Sequence, residues 1–234
     1  MPEQSSQATA APGFRDASRQ QTSLLAPFEK PLLIRMAKAT PAWINSDHLT
    51  LLGFVSMCLA GLCYWLAHWS RGALLLVIPC LALNWLGDSL DGTLARVRNR
   101  LRPRYGFYVD HITDAFGTLF LLAGLGFSGY MSLAVATCLL IVYLLLSIQS
   151  YLATHVLGTF QLSYWKLSPT ELRLLLMAGN VALFYRPVVS LFGRHFLLFD
   201  VGGVIGILGM SLMLITSAIR NTRALYRAER PPPA

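Results

Sequence analysis

Long apolar segments alternate with short polar segments along most of the chain. Six segments are apolar over enough residues to cross a hydrocarbon layer as helices, which takes about 20 residues because lipid offers the backbone no hydrogen-bond partner. They are approximately residues 49–69, 73–88, 105–127, 131–156, 171–185 and 201–219. The pattern predicts an all-α integral membrane protein with six transmembrane helices.

The two ends of the chain differ from these apolar segments. Residues 1–22 are polar and rich in Ser, Gln and Ala, and residues 226–234 are polar and proline-rich, so both are predicted to be disordered tails. From Leu24 to Lys38 apolar and charged residues are mixed, which favours a short amphipathic helix lying in the membrane interface. The prediction is therefore one membrane domain, residues 23–225, that begins with an interfacial helix.

The composition supports a membrane protein and excludes other classes. Hydrophobic residues make up 55% of the chain, charged residues make up 13%, and the mean hydropathy is +0.53. A soluble domain carries about 25% charged residues, which keep its surface hydrated. With 18 Gly, 12 Pro and four Cys, the chain is also neither collagen-like nor a disulfide scaffold.

The formal net charge of +8 follows the predicted spans. Of the 19 Lys and Arg residues, 16 fall on one side of a six-span arrangement, and Arg71, Arg186 and Arg194 fall on the other. Cytoplasmic segments carry most of the Lys and Arg in membrane proteins, so both termini are predicted to be cytoplasmic. The positive charge is explained by the orientation of the protein in the membrane, and it also favours binding to anionic membrane lipids. No nucleic-acid partner is expected.

Four of the eleven acidic residues lie within 27 residues around the second and third predicted spans. Asp88 and Asp91 are three residues apart and Asp110 and Asp114 are four apart, so each pair lines one face of its helix. The helices are consecutive and antiparallel, so the four carboxylates are expected to converge near the cytoplasmic boundary. Such a cluster needs protons or cations to offset its repulsion, and a divalent metal is the natural remedy. An all-oxygen set suits Mg²⁺, Mn²⁺ or Ca²⁺ better than Zn²⁺.

Small and basic residues accompany the aspartates. Gly92 and Ala95 leave room for a ligand to approach the backbone, and Arg96 lies where it can bind a phosphate. From charge alone, Arg96 is better interpreted as a membrane anchor like its neighbours in the Arg-rich loop, which are Arg98, Arg100, Arg102 and Arg104. Gly106 has two interpretations, close helix packing and space for a substrate.

These residues share a fixed spacing, Asp88-x2-Asp91-Gly92-x2-Ala95-Arg96-x9-Gly106-x3-Asp110-x3-Asp114. The pattern resembles the signature of the CDP-alcohol phosphotransferase family at all eight fixed positions. The six-span organisation, the preceding interfacial helix and the segment PAWINSDHLT extend the resemblance beyond the signature. Within that segment, Asp47 departs from the Pro-Asn that is commoner in the family.

The resemblance implies a metal-dependent enzyme that transfers a phosphoalcohol unit from a CDP-linked donor to a hydroxyl acceptor and releases CMP. Two Mg²⁺ or Mn²⁺ ions would be held by four carboxylates, those of Asp88, Asp91, Asp110 and Asp114. Asp114 would also accept the proton of the acceptor hydroxyl. The residues implied to border the CDP donor are Asp47, Thr50, Asp91, Gly92, Ala95 and Arg96. A homodimer is implied by the resemblance alone.

The acceptor side has a weaker signal. The segments PAWI and Pro-Thr-Glu, which ends at Glu171, resemble eukaryotic choline and ethanolamine phosphotransferases, in which the donor is a CDP-amino alcohol and the acceptor is diacylglycerol. Glu171 would then contact the cationic amine. The favoured pairing is CDP-diacylglycerol with a small polar alcohol such as glycerol phosphate, inositol phosphate or serine. Lys166 and Arg173 would then bind an acceptor phosphate.

Two other classes of function predict different patterns of acidic residues. A cation or proton transporter predicts acidic residues spread across the bilayer, whereas these cluster on one side, beside the Arg-rich loop. A non-catalytic lipid-binding subunit predicts the loss of at least one motif acid, and none is lost. The short chain without a transit peptide favours a prokaryotic inner membrane, with the site facing the cytoplasm.

Overall fold

The computed structural model describes residues 26–157 and 169–229, and most of these residues are helical. The helices are α1 (Ala26–Ala39), α2 (Ser46–Leu66), α3 (Ala73–Val97), α4 (Pro103–Phe127), α5 (Leu133–Leu157), α6 (Pro169–Tyr185) and α7 (Leu198–Ala228). A two-stranded antiparallel hairpin, β1 (Val188–Leu191) and β2 (Arg194–Leu197), separates α6 from α7. The predicted N-terminal tail, residues 1–22, lies outside the described residues.

Helices α2 to α7 occupy the six segments that the apolar pattern predicts. Within the described residues, α2, α3, α5 and α7 are long and apolar enough to cross a membrane. Helix α6 has 17 residues, and α4 carries Asp110 and Asp114 in its first half, which lowers its hydropathy. The fold agrees with an all-α membrane protein, and crossing by α4 and α6 stays a prediction.

The hairpin between α6 and α7 differs from the loop expected there. Leu191 pairs with Arg194, and the two residues between them, Phe192 and Gly193, have φ angles of 52° and 76°. Two successive positive φ angles are what a type I′ turn requires. Phenylalanine is rare in that conformation, so the residue pattern did not indicate a turn.

Two helices run further than expected. Helix α3 continues beyond Asp88 to Val97, so the residues that follow Asp91 in the signature lie on one uninterrupted helix. Helix α7 continues to Ala228, three residues into the stretch predicted to be a C-terminal tail. The longer α7 leaves the site unchanged. The longer α3 places Asp88 and Arg96 on the same rigid helix.

Backbone contacts at glycines hold α3 and α4 against α2. A Cβ built at Gly124 of α4 would collide with the carbonyl group of Gly61 in α2. A Cβ at Gly87 of α3 would lie 2.5 Å from the carbonyl oxygen of Leu49 and 2.6 Å from the nitrogen of Gly53. Small residues permit such close approach between membrane helices. Both aspartate-bearing helices, α3 and α4, are thereby held against α2.

Helix α1 packs on α3 through an apolar cluster. Its members are Leu33, Ala37, Leu49, Leu90 and Leu94, all of them buried. The helix contains Pro31 and carries charged residues on its exposed side. This arrangement brings the predicted interfacial helix next to the signature on α3.

Candidate active site

A cleft between α2, α3 and α4 brings the four signature aspartates together. It is narrow and partly open to solvent. The lining residues are Thr50, Gly53, Phe54, Met57, Asn84, Asp88, Asp91, Asp110, Thr113 and Asp114. The carboxylates of two consecutive helices thus meet in one cleft.

Three of the carboxylates are close enough to share a cation. Asp88, Asp110 and Asp114 are half-buried, and each offers an oxygen that lies within 4.8 Å of the other two. Oxygens on opposite sides of one Mg²⁺ ion lie about 4.2 Å apart, because each bond is about 2.1 Å long. Small side-chain rotations would bring all three to bonding distance, and a donor set made only of oxygens fits a hard cation.

Asp91 lines the same cleft, but neighbouring groups hold its carboxylate. Its Oδ2 accepts a 2.6 Å hydrogen bond from the Thr50 hydroxyl, and its Oδ1 accepts one from the backbone N–H of Gly92. The Ser46 hydroxyl donates to the Asp91 carbonyl oxygen at 2.8 Å. The start of α2 is therefore fastened to α3 at Asp91, and Thr50 orients this carboxylate.

Arg173 of α6 forms a 2.6 Å salt bridge with Asp88, and the two side chains are only 11% and 24% exposed. Half-buried carboxylates repel one another, and the guanidinium offsets part of that repulsion. Arg173, predicted as an acceptor contact, therefore lies against a predicted metal ligand. An acceptor phosphate bound by Arg173 would consequently lie beside Asp88.

Four other predicted donor contacts, Gly92, Ala95, Arg96 and Asp47, are not among the residues that line the cleft. Gly92 and Ala95 are half-buried on α3, and the nearest described atom to a Cβ built at Gly92 is in the Arg96 guanidinium, 3.8 Å away. Arg96 is exposed and donates to the Thr93 hydroxyl at 3.4 Å. Asp47 is apart from the lining residues, at the surface, in a salt bridge with Arg102. The face after Asp91 thus has little bulk and an exposed cation.

Of the remaining predicted residues, the structure describes Glu171 and Gly106, whereas Lys166 lies outside the described residues. Glu171 is half-buried in the first turn of α6, two positions before Arg173. A Cβ built at Gly106 would meet no described atom within 4 Å. Gly106 is exposed, so the described residues do not support close helix packing at this position.

Arg98, expected from its sequence position to be a membrane anchor, instead binds backbone carbonyl groups of the protein. Its guanidinium donates to the carbonyl oxygens of Ile44 at 2.5 Å, Thr40 at 2.7 Å and Pro41 at 2.9 Å. These carbonyls belong to the loop that joins α1 to α2. The bonds connect this loop to the end of α3, close to the signature.

Glu29 of α1 is a second supporting residue that the sequence did not reveal. Its Oε1 accepts hydrogen bonds from the Trp85 indole at 2.8 Å, the Ser89 hydroxyl at 3.2 Å and the Thr170 hydroxyl at 3.0 Å. Trp85 and Ser89 belong to α3, and Thr170 begins α6, one turn before Arg173. One carboxylate oxygen therefore joins three helices beside Asp88.

We expect Glu29→Ala to lower the free energy of unfolding by about 1–3 kcal/mol, because three partly buried donors lose their acceptor. Thermal unfolding of the purified protein measures this loss. Glu29→Gln keeps an acceptor oxygen and should retain most of the stability. The exposed neighbour Lys30 supplies a matched control, Lys30→Ala, that should unfold like the wild type. Equal unfolding temperatures for Glu29→Ala and Lys30→Ala would contradict the joining role.

A family comparison agrees with this geometry. The profile of the family described as CDP-alcohol phosphatidyltransferase matches residues 43–216, which are 174 of the 234 residues. The match includes α2 to α6, most of α7 and all four aspartates. Comparison with individual curated proteins gives no match. The family expected from the signature is confirmed, and the chain belongs to the CDP-alcohol phosphatidyltransferase family of transferases.

Proposed function

We propose that this protein transfers a phosphatidyl group from CDP-diacylglycerol to the hydroxyl of a small polar alcohol and releases CMP. Family membership makes it a transferase of phospholipid biosynthesis that moves a phosphoalcohol unit from a CDP-alcohol, and the proposal adds the donor, the acceptor and the leaving group. The observation that carries it is the cluster of Asp88, Asp110 and Asp114 in one cleft with a basic partner, Arg173.

Divalent metal is used in this family, and the proposed cofactor is Mg²⁺, replaceable by Mn²⁺. The proposed ligands of two ions are the carboxylates of Asp88, Asp91, Asp110 and Asp114. When bound, the ions would neutralise the diphosphate of the donor and stabilise CMP as it leaves. The hard, all-oxygen donor set of the cleft supports this choice.

The remaining steps are assigned to residues of this chain. Asp114 accepts the proton of the acceptor hydroxyl, whose oxygen forms a bond to the phosphatidyl phosphorus while the bond from that phosphorus to CMP breaks. Gly92 and Ala95 leave space for the nucleotide, and Arg96 binds a phosphate of the donor. Thr50 holds the Asp91 carboxylate in place through its 2.6 Å hydrogen bond.

The acceptor is proposed to carry a phosphate. Arg173 presents a half-buried guanidinium beside Asp88, and a guanidinium binds phosphate through paired hydrogen bonds. The alternative, transfer from a CDP-amino alcohol to diacylglycerol, is favoured by one observation, the half-buried Glu171 near Arg173. A carboxylate there suits a cationic amine. Membership of a transferase family argues against a cation or proton transporter.

The proposed membrane arrangement keeps six spans, α2 to α7, with both termini and the cleft on the cytoplasmic side. The support is the distribution of Lys and Arg, 16 of 19 on that side. Helix α1 would lie in the interface as the first element of a domain at residues 23–225. A homodimer is proposed from the family resemblance.

The test is CMP release by the purified protein with Mg²⁺. CDP-diacylglycerol is offered with glycerol phosphate, inositol phosphate or serine, and CDP-choline or CDP-ethanolamine is offered with diacylglycerol. We expect CMP from CDP-diacylglycerol with a phosphate-bearing alcohol, and none after chelation of the metal. Release only from a CDP-amino alcohol would select the alternative. No metal-dependent release from any pairing would contradict both.

A further inference from the structure

Asn84 lines the active-site cleft with an amide oxygen that lacks a partner. The side chain is 4% exposed, and its Nδ2 donates to the Gly53 carbonyl oxygen at 2.9 Å. Its buried Oδ1 has no hydrogen-bond partner among the described residues. A backbone carbonyl only accepts, so the amide nitrogen must face Gly53, and this fixes which way the oxygen points.

Among the described residues that line the cleft, no side chain is available to satisfy this oxygen. Asn84, Asp88 and Asp91 are spaced i, i+4, i+7 on one face of α3. Of the two hydroxyls in the cleft lining, that of Thr50 donates to Asp91, and that of Thr113 lies 2.8 Å from the carbonyl oxygen of Val109 in its own helix. The other polar side chains of the lining are carboxylates. The missing partner is therefore a cation or a molecule that brings a hydrogen.

A second buried asparagine shows why the location matters. Asn180 of α6 is fully buried and also has an unpartnered Oδ1, while its Nδ2 donates to the Tyr64 hydroxyl at 2.7 Å and to the Leu176 carbonyl oxygen at 2.8 Å. Its surroundings are the apolar core, and it is not part of the cleft lining. An unpartnered amide oxygen alone is no site, but Asn84, unlike Asn180, lines the cleft together with the four aspartates.

We propose that Asn84 supplies a neutral oxygen to the cation site, and binds the ion directly or through a water molecule that the ion carries. The inference rests on the proposed function, which puts a divalent cation among Asp88, Asp110 and Asp114. Amide oxygens are ordinary ligands of hard cations. A neutral ligand raises the affinity for the ion without adding repulsion to a cluster that already holds four carboxylates.

The test is the Mg²⁺ affinity of the purified full chain without nucleotide, measured by isothermal titration calorimetry. We expect Asn84→Leu to bind Mg²⁺ about tenfold more weakly than the wild type, since loss of an outer metal-site partner costs roughly 10- to 100-fold. The matched control Asn180→Leu loses a comparable buried amide and should keep wild-type affinity.

Wild-type affinity in Asn84→Leu, or an equal loss in Asn180→Leu, would overturn the inference and leave the proposed function intact. A wild-type protein that binds no Mg²⁺ would instead refute the metal in the proposed function, and the inference with it. The two failures are thus distinguishable.

A second variant, Asn84→Asp, tests the proposal by thermal unfolding and applies even if the Asn84→Leu variant does not fold. An added carboxylate facing the cluster increases repulsion in the metal-free protein, so Mg²⁺ should raise the unfolding temperature of this variant more than that of the wild type. An equal rise in both would show that position 84 does not face the cation.

Direct and water-mediated binding differ in the hydration of the ion. With Mn²⁺ in place of Mg²⁺, electron paramagnetic resonance in ¹⁷O-labelled water counts the water molecules bound to the ion. If Asn84 is a direct ligand, Asn84→Leu gains a bound water, whereas an unchanged count together with weaker binding indicates contact through water.

Discussion

We expect Asp114→Asn to lower the rate of CMP release with Mg²⁺ present by a factor of about 10³ or more. The substitution removes the proposed proton acceptor, and the loss of a general base costs roughly 10²- to 10⁴-fold. It also removes one of three oxygens that lie within 4.8 Å of one another, so the metal site loses a negative ligand. CMP release under saturating donor and acceptor measures the effect.

The fold should survive Asp114→Asn, because an amide replaces a carboxylate of the same shape and like-charge repulsion falls. Thermal unfolding without metal should therefore begin at or above the wild-type temperature. Asp200, at the start of α7, supplies a matched carboxylate control. Its carboxylate accepts a 2.7 Å hydrogen bond from the backbone N–H of Ser132. Asp200→Asn should keep wild-type turnover. Retention of more than about a tenth of the activity in Asp114→Asn would remove Asp114 from the mechanism.

We expect Arg173→Met to destabilise the metal-free protein by about 2–4 kcal/mol, and Mg²⁺ to restore much of the loss. Removing one partner of a buried ion pair costs roughly 3–5 kcal/mol, and the partial exposure of Asp88 and Arg173 reduces that figure. The remaining carboxylates of the cluster then lack the guanidinium, and a bound cation replaces its charge. Thermal unfolding at increasing Mg²⁺ concentrations measures both effects.

Arg71→Met is the matched control for Arg173→Met. Arg71 lies in the turn between α2 and α3, where its guanidinium is 5.8 Å from the centre of the Phe184 ring. Its removal should change the unfolding temperature by an amount independent of Mg²⁺. Arg173→Lys keeps the charge and should stay near the wild type without metal. If Arg71→Met and Arg173→Met respond equally to Mg²⁺, the salt bridge does not balance the cluster.

The helices and the aspartate face were predictable because they depend on local periodicity. Apolar length marked each helix, and spacings of three and four residues placed Asp88 with Asp91 and Asp110 with Asp114 on common faces. One further signal was available in the same pattern. Asn84 is one turn before Asp88 on the face that carries Asp91, and a polar residue at that point of an apolar segment indicated a place in the cleft.

Other parts of the site depend on contacts that no local pattern encodes. Glu29 and Thr170 are 141 residues apart in the chain, and Arg98 reaches carbonyl groups more than 50 residues away. The salt bridge between Asp47 and Arg102 is equally distant in sequence. The sequence does not show which arginine of a positively charged loop binds which partner, because that depends on the fold. The positive φ angle at Phe192 was not predicted, because the local preference of phenylalanine disfavours that conformation.

The glycine contacts along α2 have a consequence for the choice of ion. Where the backbones of Gly61 and Gly124 touch, no side chain can change rotamer to absorb a change in helix spacing, and Gly87 fixes α3 to α2 in the same way. The distance between Asp88 on α3 and the two aspartates on α4 is therefore set by the helices. Ca²⁺ requires oxygen bonds of about 2.3–2.6 Å, whereas Mg²⁺ requires about 2.0–2.1 Å. With the helix backbones fixed, only the rotations of the carboxylate side chains are left to adjust the cluster to the size of an ion.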